Sequence, residues 1–152
     1  MLAPIGWANW FMLMLAGLAS WTLLEYLLHR HVLHGVEPFK RWHLEHHLHP
    51  DRPMRIPLAF SLMLVGAVVI PAAFIGAAAS LATAFSCGLS VGLLLQEVVH
   101  HRLHSSARPP GGYPMPRQNQ HDFHHHRDQG AAFGTLTGFW DGLFRTAGPR
   151  SY

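Results

Sequence analysis

Two long stretches of this 152-residue chain carry no charged side chain, and they constrain its fold more than any other feature. Residues 1–24 form the first, and the 41 residues from Ile56 to Gln96 form the second. A helix needs about 20 mostly apolar residues to cross ~30 Å of hydrocarbon at ~1.5 Å per residue. The first stretch therefore predicts one membrane-spanning helix, and the second is long enough for two. The predicted spans are residues 6–28, 57–75 and 79–100.

Two other interpretations of the apolar stretches fit less well. A helix of a soluble protein presents a polar face with a 3.6-residue period, and residues 58–95 show none. A cleaved signal peptide has a basic start and a short apolar core, whereas the first basic residue here is Arg30. We therefore expect an integral membrane protein that retains its first span.

The distribution of basic residues predicts the orientation. All eleven Lys and Arg residues fall within residues 30–55 and 102–150, and all 14 histidines fall in the same two regions, within residues 29–49 and 100–126. Three spans place both regions on one side, which the positive-inside bias identifies as the cytoplasm. Because ten of the eleven are Arg and alanine is abundant, we expect a bacterial inner-membrane protein.

Composition excludes several classes of protein. With 49% hydrophobic and 12% charged residues, the chain is too apolar for intrinsic disorder. Its basic residues do not form the grouped patch expected of a nucleic-acid-binding protein. Cys87 is the only cysteine, which excludes a disulfide framework and a cysteine-based zinc module. A length of 152 residues is typical of one domain, so residues 1–152 are predicted to form one.

The histidines concentrate in four motifs: HRHVLH (29–34), HLEHH (43–47), HHRLH (100–104) and HDFHHH (121–126). Positions i, i+3 and i+4 of a helix share one face, so each HxxHH motif is expected to aim its three histidines at one point. His29 and His34 are five residues apart, about 140° around an α-helix at ~100° per residue. They converge only if the helix changes at its end; otherwise they serve different metals. His31, His49, His101 and His126 fall off these faces.

Ten histidines remain, and neutral imidazole is the commonest metal ligand. Two closed zinc sites would use only eight, since each takes four ligands. Two octahedral ions with five histidines each would keep one open position, which favours a reactive pair, with iron and dioxygen fitting best. Zinc remains possible in the purified protein, because it binds more tightly than ferrous iron.

In order and spacing, the four motifs resemble those of the fatty acid hydroxylase (sterol desaturase) superfamily of membrane di-metal oxygenases. The final stretch, FGTLTGFWDGLFRT (133–146), is similar to that family's FG…WD ending, with Arg145 in place of a common glycine. The resemblance implies an all-α membrane protein with about three transmembrane helices and a cytoplasmic helical cap that holds two irons. Carried over motif by motif, the ligands, which are also the catalytic residues, would be His29, His34, His43, His46, His47, His100, His104, His121, His124 and His125.

The implied reaction is O2-dependent hydroxylation or desaturation of a lipid: a fatty acyl chain, a sterol or a carotenoid. No cytochrome b5, flavin or NAD-binding segment fits in the chain, so we expect a separate electron donor of the ferredoxin or cytochrome b5 type. The alternative is a non-catalytic membrane protein that carries or senses zinc or iron.

Among three further features, two have two interpretations each and the third has one. Glu25 and Glu97 lie three or four residues before a motif histidine, where each either orients an imidazole or reaches the membrane surface. The apolar residues of FWDGLF (139–144) either lie in the membrane surface or pack beneath the metal site. Asp141 is expected to fix local structure rather than bind metal.

Overall fold

The computed structural model describes residues 6–50, 52, 78–104 and 115–148, and all of the regular structure within these ranges is helical. The first α-helix continues without a break into a π-helical turn, Leu28–Leu33. In chain order the α-helices are α1 (Trp7–Leu27), α2 (Phe39–Leu48), α3 (Ala78–Leu103), α4 (Met115–His126) and α5 (Phe139–Leu143). The all-helical fold expected from the sequence is confirmed for this part of the chain.

Two helical stretches, Trp7–Leu33 and Leu81–Leu103, are long and apolar enough to cross a membrane. They correspond to the first and third predicted spans. The second predicted span, residues 57–75, lies outside the described residues. The number of spans and the side of the membrane that carries the histidines therefore stay predictions.

Helices α1 and α3 pack side by side and run in the same direction. A Cβ atom at Gly88 would overlap the carbonyl oxygen of Met14, so the absence of a side chain permits this close approach. Further toward the carboxyl ends of the two helices, the indole Nε1 of Trp21 donates a hydrogen bond to Oε1 of Gln96, at 3.0 Å. Because residue numbers rise together along both helices, their carboxyl ends lie at the same end of the pair. That end carries the histidines.

The final described residues, 131–148, form a segment that we call the tail, and it packs against the carboxyl half of α1. The hydroxyl groups of Tyr26 and Thr146 are hydrogen-bonded at 2.9 Å. Closer to the middle of α1, Nε1 of Trp140 donates to Oγ1 of Thr22, also at 2.9 Å. The tail thus connects the carboxyl half of α1 with the histidine end of the molecule.

Candidate metal centre

The ten histidines predicted as ligands gather into two clusters of five at the histidine end of α1 and α3. Within each cluster, one ring nitrogen from every histidine lies within 4.8 Å of the others. Cluster 1 consists of His29, His34, His43, His47 and His124, and cluster 2 of His46, His100, His104, His121 and His125. The four histidines that the spacing left out are exposed and belong to neither cluster: His31, His49, His101 and His126.

Each HxxHH motif divides between the two clusters, so the expectation that its histidines aim at one point is wrong. In α2, His43 and His47 belong to cluster 1, whereas His46 belongs to cluster 2. Helix α4 shows the reverse, because only its middle histidine, His124, belongs to cluster 1. The reason is angular: at ~100° per residue, positions i and i+4 are about 40° apart, but i+3 and i+4 are about 100° apart. One helix can therefore serve two neighbouring centres.

The π-helical turn brings together two histidines that an α-helix would separate. The amide of His34 donates to the carbonyl oxygen of His29, five residues earlier, at 3.3 Å. This i→i+5 pattern widens the helix, so residues five apart share a face. The two ring centroids are 5.2 Å apart, and both rings belong to cluster 1. Of the two possibilities that the sequence left open, a change of helix at its end is the one observed.

Imidazole nitrogens converge within each cluster more closely than hydrogen bonding among them explains. In cluster 2, Nε2 of His104 lies 3.1, 3.2 and 3.0 Å from Nε2 of His46, His100 and His121. Cluster 1 repeats the pattern around Nε2 of His43, with separations of 2.9 and 3.0 Å. A ring nitrogen offers either one proton or one lone pair, so it cannot satisfy several such neighbours at once. Lone pairs converging on one point are the arrangement that a cation requires.

Backbone carbonyls of the tail orient two histidines of cluster 1. Nδ1 of His29 donates to the carbonyl oxygen of Phe133 at 2.6 Å, and Nδ1 of His124 donates to that of Ala131 at 2.7 Å. A neutral imidazole that donates through Nδ1 has its lone pair on Nε2. Both Nε2 lone pairs are therefore available to a cation in cluster 1.

Asp141 fixes the part of the tail that carries these carbonyls. Its side chain is fully buried, and its Oδ1 and Oδ2 accept the amide protons of Phe133 and Gly134 at 2.9 and 2.8 Å. The hydroxyl of Thr146 also donates to Oδ1, at 2.9 Å. These three hydrogen bonds fix the local backbone, which is the role expected of Asp141 from the sequence. Its indirect connection to His29 through Phe133 could not be seen from spacing along the chain.

Glu25 holds the next part of the tail and does not orient a histidine of the motifs. Its carboxylate is buried and accepts the amide protons of Thr135 and Leu136, the latter at 3.1 Å. Neither sequence interpretation of Glu25 anticipated these bonds, because they join residues more than 100 positions apart. The only sequence signal was an acidic residue in an otherwise uncharged span.

Burial keeps the clustered histidines neutral. Loss of water contact lowers the pKa of His34 and of His46 to about 4 and that of His47 to about 3. Neighbouring imidazoles add to this effect, since a second positive charge close by would be repelled; the largest of these contributions to His46 comes from His104. Neutral imidazole is the form that binds a metal ion, so these side chains need not release a proton first.

Several buried ring nitrogens have no hydrogen-bond partner within the described part of the chain. They are Nδ1 of His43, His46, His47 and His125, together with Nε2 of His125. Buried polar atoms are normally paired, because leaving one unpaired is unfavourable. Five neutral imidazoles in each cluster form a donor set that suits iron, zinc, copper or nickel. The residues present therefore fit a pair of metal ions.

The comparisons with known proteins point in the same direction. The model of the fatty acid hydroxylase family matches residues 14–146. The ceramide very long chain fatty acid hydroxylase scs7 of Schizosaccharomyces pombe is 32% identical over 88% of this chain and 41% of its own length. The human fatty acid 2-hydroxylase is 29% identical over 90% of this chain and 40% of its own length. This chain thus spans about two fifths of the length of these two relatives.

A solved structure shows the same architecture. The structure of full-length scs7p, in which only the hydroxylase domain is visible, superimposes with a TM-score of 0.75 at 26% sequence identity. The match covers 97% of this chain and 61% of that one. With the family model matching most of its length, including the four histidine motifs and the FG…WD ending, the chain belongs to the fatty acid hydroxylase family.

Proposed function

We propose that this protein is a membrane-bound oxygenase that hydroxylates a lipid with a pair of iron ions held by clusters 1 and 2. The observation that carries the proposal is the adjacency of two five-histidine clusters, whose facing members His47 and His125 stack with ring centroids 4.1 Å apart. A closed structural zinc site takes four ligands. Five ligands for each ion favour six-coordinate ions, each with one position left for a reactant.

The ten clustered histidines would be the ligands, and zinc could replace iron in the isolated protein. When bound, the iron pair would supply the activation of dioxygen that attack on an unactivated C–H bond requires. The chain's own contribution is positional: the Phe133 and Ala131 carbonyls hold Nε2 of His29 and His124 toward cluster 1, and burial keeps the imidazoles neutral. In the overall reaction, one oxygen atom of O2 enters the C–H bond and the other leaves as water, which consumes two electrons and two protons.

The substrate we propose is a fatty acyl chain, free or within a ceramide-type lipid. The support is the names of the relatives, which are a ceramide very long chain fatty acid hydroxylase, a fatty acid 2-hydroxylase and, in Arabidopsis thaliana, a dihydroceramide fatty acyl 2-hydroxylase. These names favour an alcohol as the product over an alkene, and an acyl chain over a sterol or a carotenoid.

We further propose one hydroxylase domain over residues 1–152, with three spans in a bacterial inner membrane and both clusters on the cytoplasmic side. The support is the shared histidine end of α1 and α3 and the grouping of Lys and Arg residues. On that side a ferredoxin or a cytochrome b5-type protein could deliver the two electrons.

The alternative of a metal carrier has less support. A transport path places ionisable residues near the middle of the membrane. Within the two described spans, the acidic residues are Glu25 and Glu97, each only three or four residues from a clustered histidine. Glu25 is in addition engaged by the tail amides.

The test is anaerobic loading of the reconstituted protein with ferrous iron, followed by a chemical reductant, a long-chain fatty acid or ceramide, and ¹⁸O2. We expect a hydroxylated product with one ¹⁸O atom. His125→Ala should abolish the product and lower the amount of bound metal. His126→Ala should change neither, because His126 is exposed and belongs to neither cluster. A product that has lost two hydrogens would indicate a desaturase. Retention of two zinc ions with no product from any lipid or donor would support the carrier instead.

A further inference from the structure

We infer that helix α5 and the residue after it lie inside the membrane, beside α1, and that Phe139, Leu143 and Phe144 contact lipid acyl chains there. The inference rests on the proposal that α1 and α3 span the membrane. The tail would then have two contact surfaces. Its backbone carbonyls contact His29 and His124, and the apolar side chains of α5 and Phe144 contact lipid.

The depth of α5 follows from its contact with α1. Nε1 of Trp140 donates to Oγ1 of Thr22 at 2.9 Å, which places the Trp140 indole at the level of Thr22. Exposed apolar side chains continue along α1 as far as Leu27, about 7.5 Å further at ~1.5 Å per residue. On α3 they continue to Val98, two residues before the first clustered histidine of that helix. Trp140 therefore lies within the apolar belt of the two spanning helices and not above it.

Large apolar side chains of this segment remain exposed, including Phe144, which stacks on Tyr26 of α1 with ring centroids 5.3 Å apart. Phe139 is 63% exposed, Leu143 59% and Phe144 44%. Exposure of apolar surface to water is unfavourable, whereas contact with acyl chains removes that penalty. Aromatic and leucine side chains on one face of a short helix are typical of segments that insert into a membrane.

The backbone segment that precedes α5 has protein partners for several of its polar atoms, which is the other condition for entering a membrane. Hydrocarbon offers no hydrogen bonds, so irregular backbone is tolerated at that depth only where protein groups pair its polar atoms. Asp141 and Glu25 together accept the four successive amide protons of residues 133–136. Arg117 donates to the carbonyl oxygen of Gly134 at 3.2 Å. This pairing also explains why an acidic residue is present in α1, since a carboxylate in a span normally has a defined partner.

The experiment uses nitroxide labels in the full chain reconstituted into phosphatidylcholine vesicles, with collision rates measured against oxygen and against water-soluble chromium oxalate. Native Cys87, which is exposed on α3, provides the lipid reference. In a Cys87→Ala background, Leu143→Cys and Phe139→Cys report on α5. Gln129→Cys, exposed in the loop after α4, provides the water reference.

We expect the oxygen-to-chromium collision ratio at positions 143 and 139 to approach that of the Cys87 label and to exceed that of position 129 several-fold. A ratio equal to that at position 129 would overturn the inference by placing α5 in water. Low collision rates with both reagents would overturn it by showing that protein covers α5. A label at Cys87 that is open to chromium oxalate would overturn the spanning proposal and this inference together, whereas failure at positions 139 and 143 alone leaves the proposed function intact. Bound metal measured on each labelled protein verifies that it has folded.

Discussion

Replacing Asp141 by Asn removes one negative charge from a fully buried position and should weaken metal binding at cluster 1 without touching a ligand. The carboxylate accepts the amides of Phe133 and Gly134 through different oxygens. Asn has one acceptor and one donor there, so one amide proton then faces an NH2 group. A hydrogen bond to a charged group contributes about 1.5–3 kcal/mol, and we expect the free energy of unfolding to fall by about that amount.

The loss reaches the metal through the backbone. Phe133 is the residue whose carbonyl oxygen accepts the Nδ1 proton of His29, at 2.6 Å. When the backbone of Phe133 and Gly134 is no longer held by two hydrogen bonds to Asp141, the imidazole of His29 loses its fixed orientation. Removal of such an orienting partner typically lowers metal affinity 10- to 100-fold, which corresponds to about 1.4–2.8 kcal/mol. The hydrogen bonds of Asp141 lead to the tail, which orients His29 of cluster 1, so the affinity of cluster 2 should change less.

The assay is competition for zinc or ferrous iron against a chromophoric chelator, with the stoichiometry followed as the free metal concentration falls. Asp141→Asn should release one of two ions at a higher free metal concentration than the native protein does, and its metal-free form should melt at a lower temperature. Asp128→Asn is the matched control, because Asp128 is exposed and its carboxylate accepts the amide of Gly130, at 2.8 Å, within a local turn. If both variants bind two ions equally tightly, the tail does not position His29 and the reasoning is wrong.

Three other predictions follow from the fold and can be checked by thermal melting in detergent. Gly88→Ala should destabilise the helix pair by about 1–3 kcal/mol through overlap with α1, whereas Gly142→Ala, where a Cβ meets open space, should not; equal melting temperatures would contradict the close packing. Arg145 has a left-handed φ of 57°, so Arg145→Gly should retain or raise stability and Arg145→Val should lower it, and the reverse order would be inconsistent with this backbone. Burial lowers the pKa of His34 and His46 from 6.5 to about 4, so the unfolded chain binds more protons between these values. The stability of the chelator-treated protein should therefore be complete above pH 6.5 and decline as the pH falls through 4, whereas a flat profile would mean that these histidines are not buried.

Local sequence was sufficient to predict the helical fold, the two long apolar helices and the group of ten histidines, because each depends on periodicity or spacing within a short segment. It was insufficient where the structure depends on distant residues. Glu25 contacts Thr135 and Leu136 across more than 100 positions, and no periodicity records that contact. The division of HLEHH between two clusters likewise depends on where α3 and α4 pack, not on α2 alone. Arg145, by contrast, stands where the family commonly has glycine, and its positive φ explains that preference.

The interleaving of the motifs bears on the kind of centre this chain can build. Helices α2 and α4 each supply histidines to both clusters, so neither cluster can form unless both helices are in place. A protein that only stored two zinc ions would need four ligands for each and no such sharing. Here five imidazoles surround each position, and the rings of His47 and His125 stack across the boundary between the clusters. Helices that contribute to both clusters would hold two ions close together at a fixed separation. Two ions that act together on one reactant require such a fixed separation.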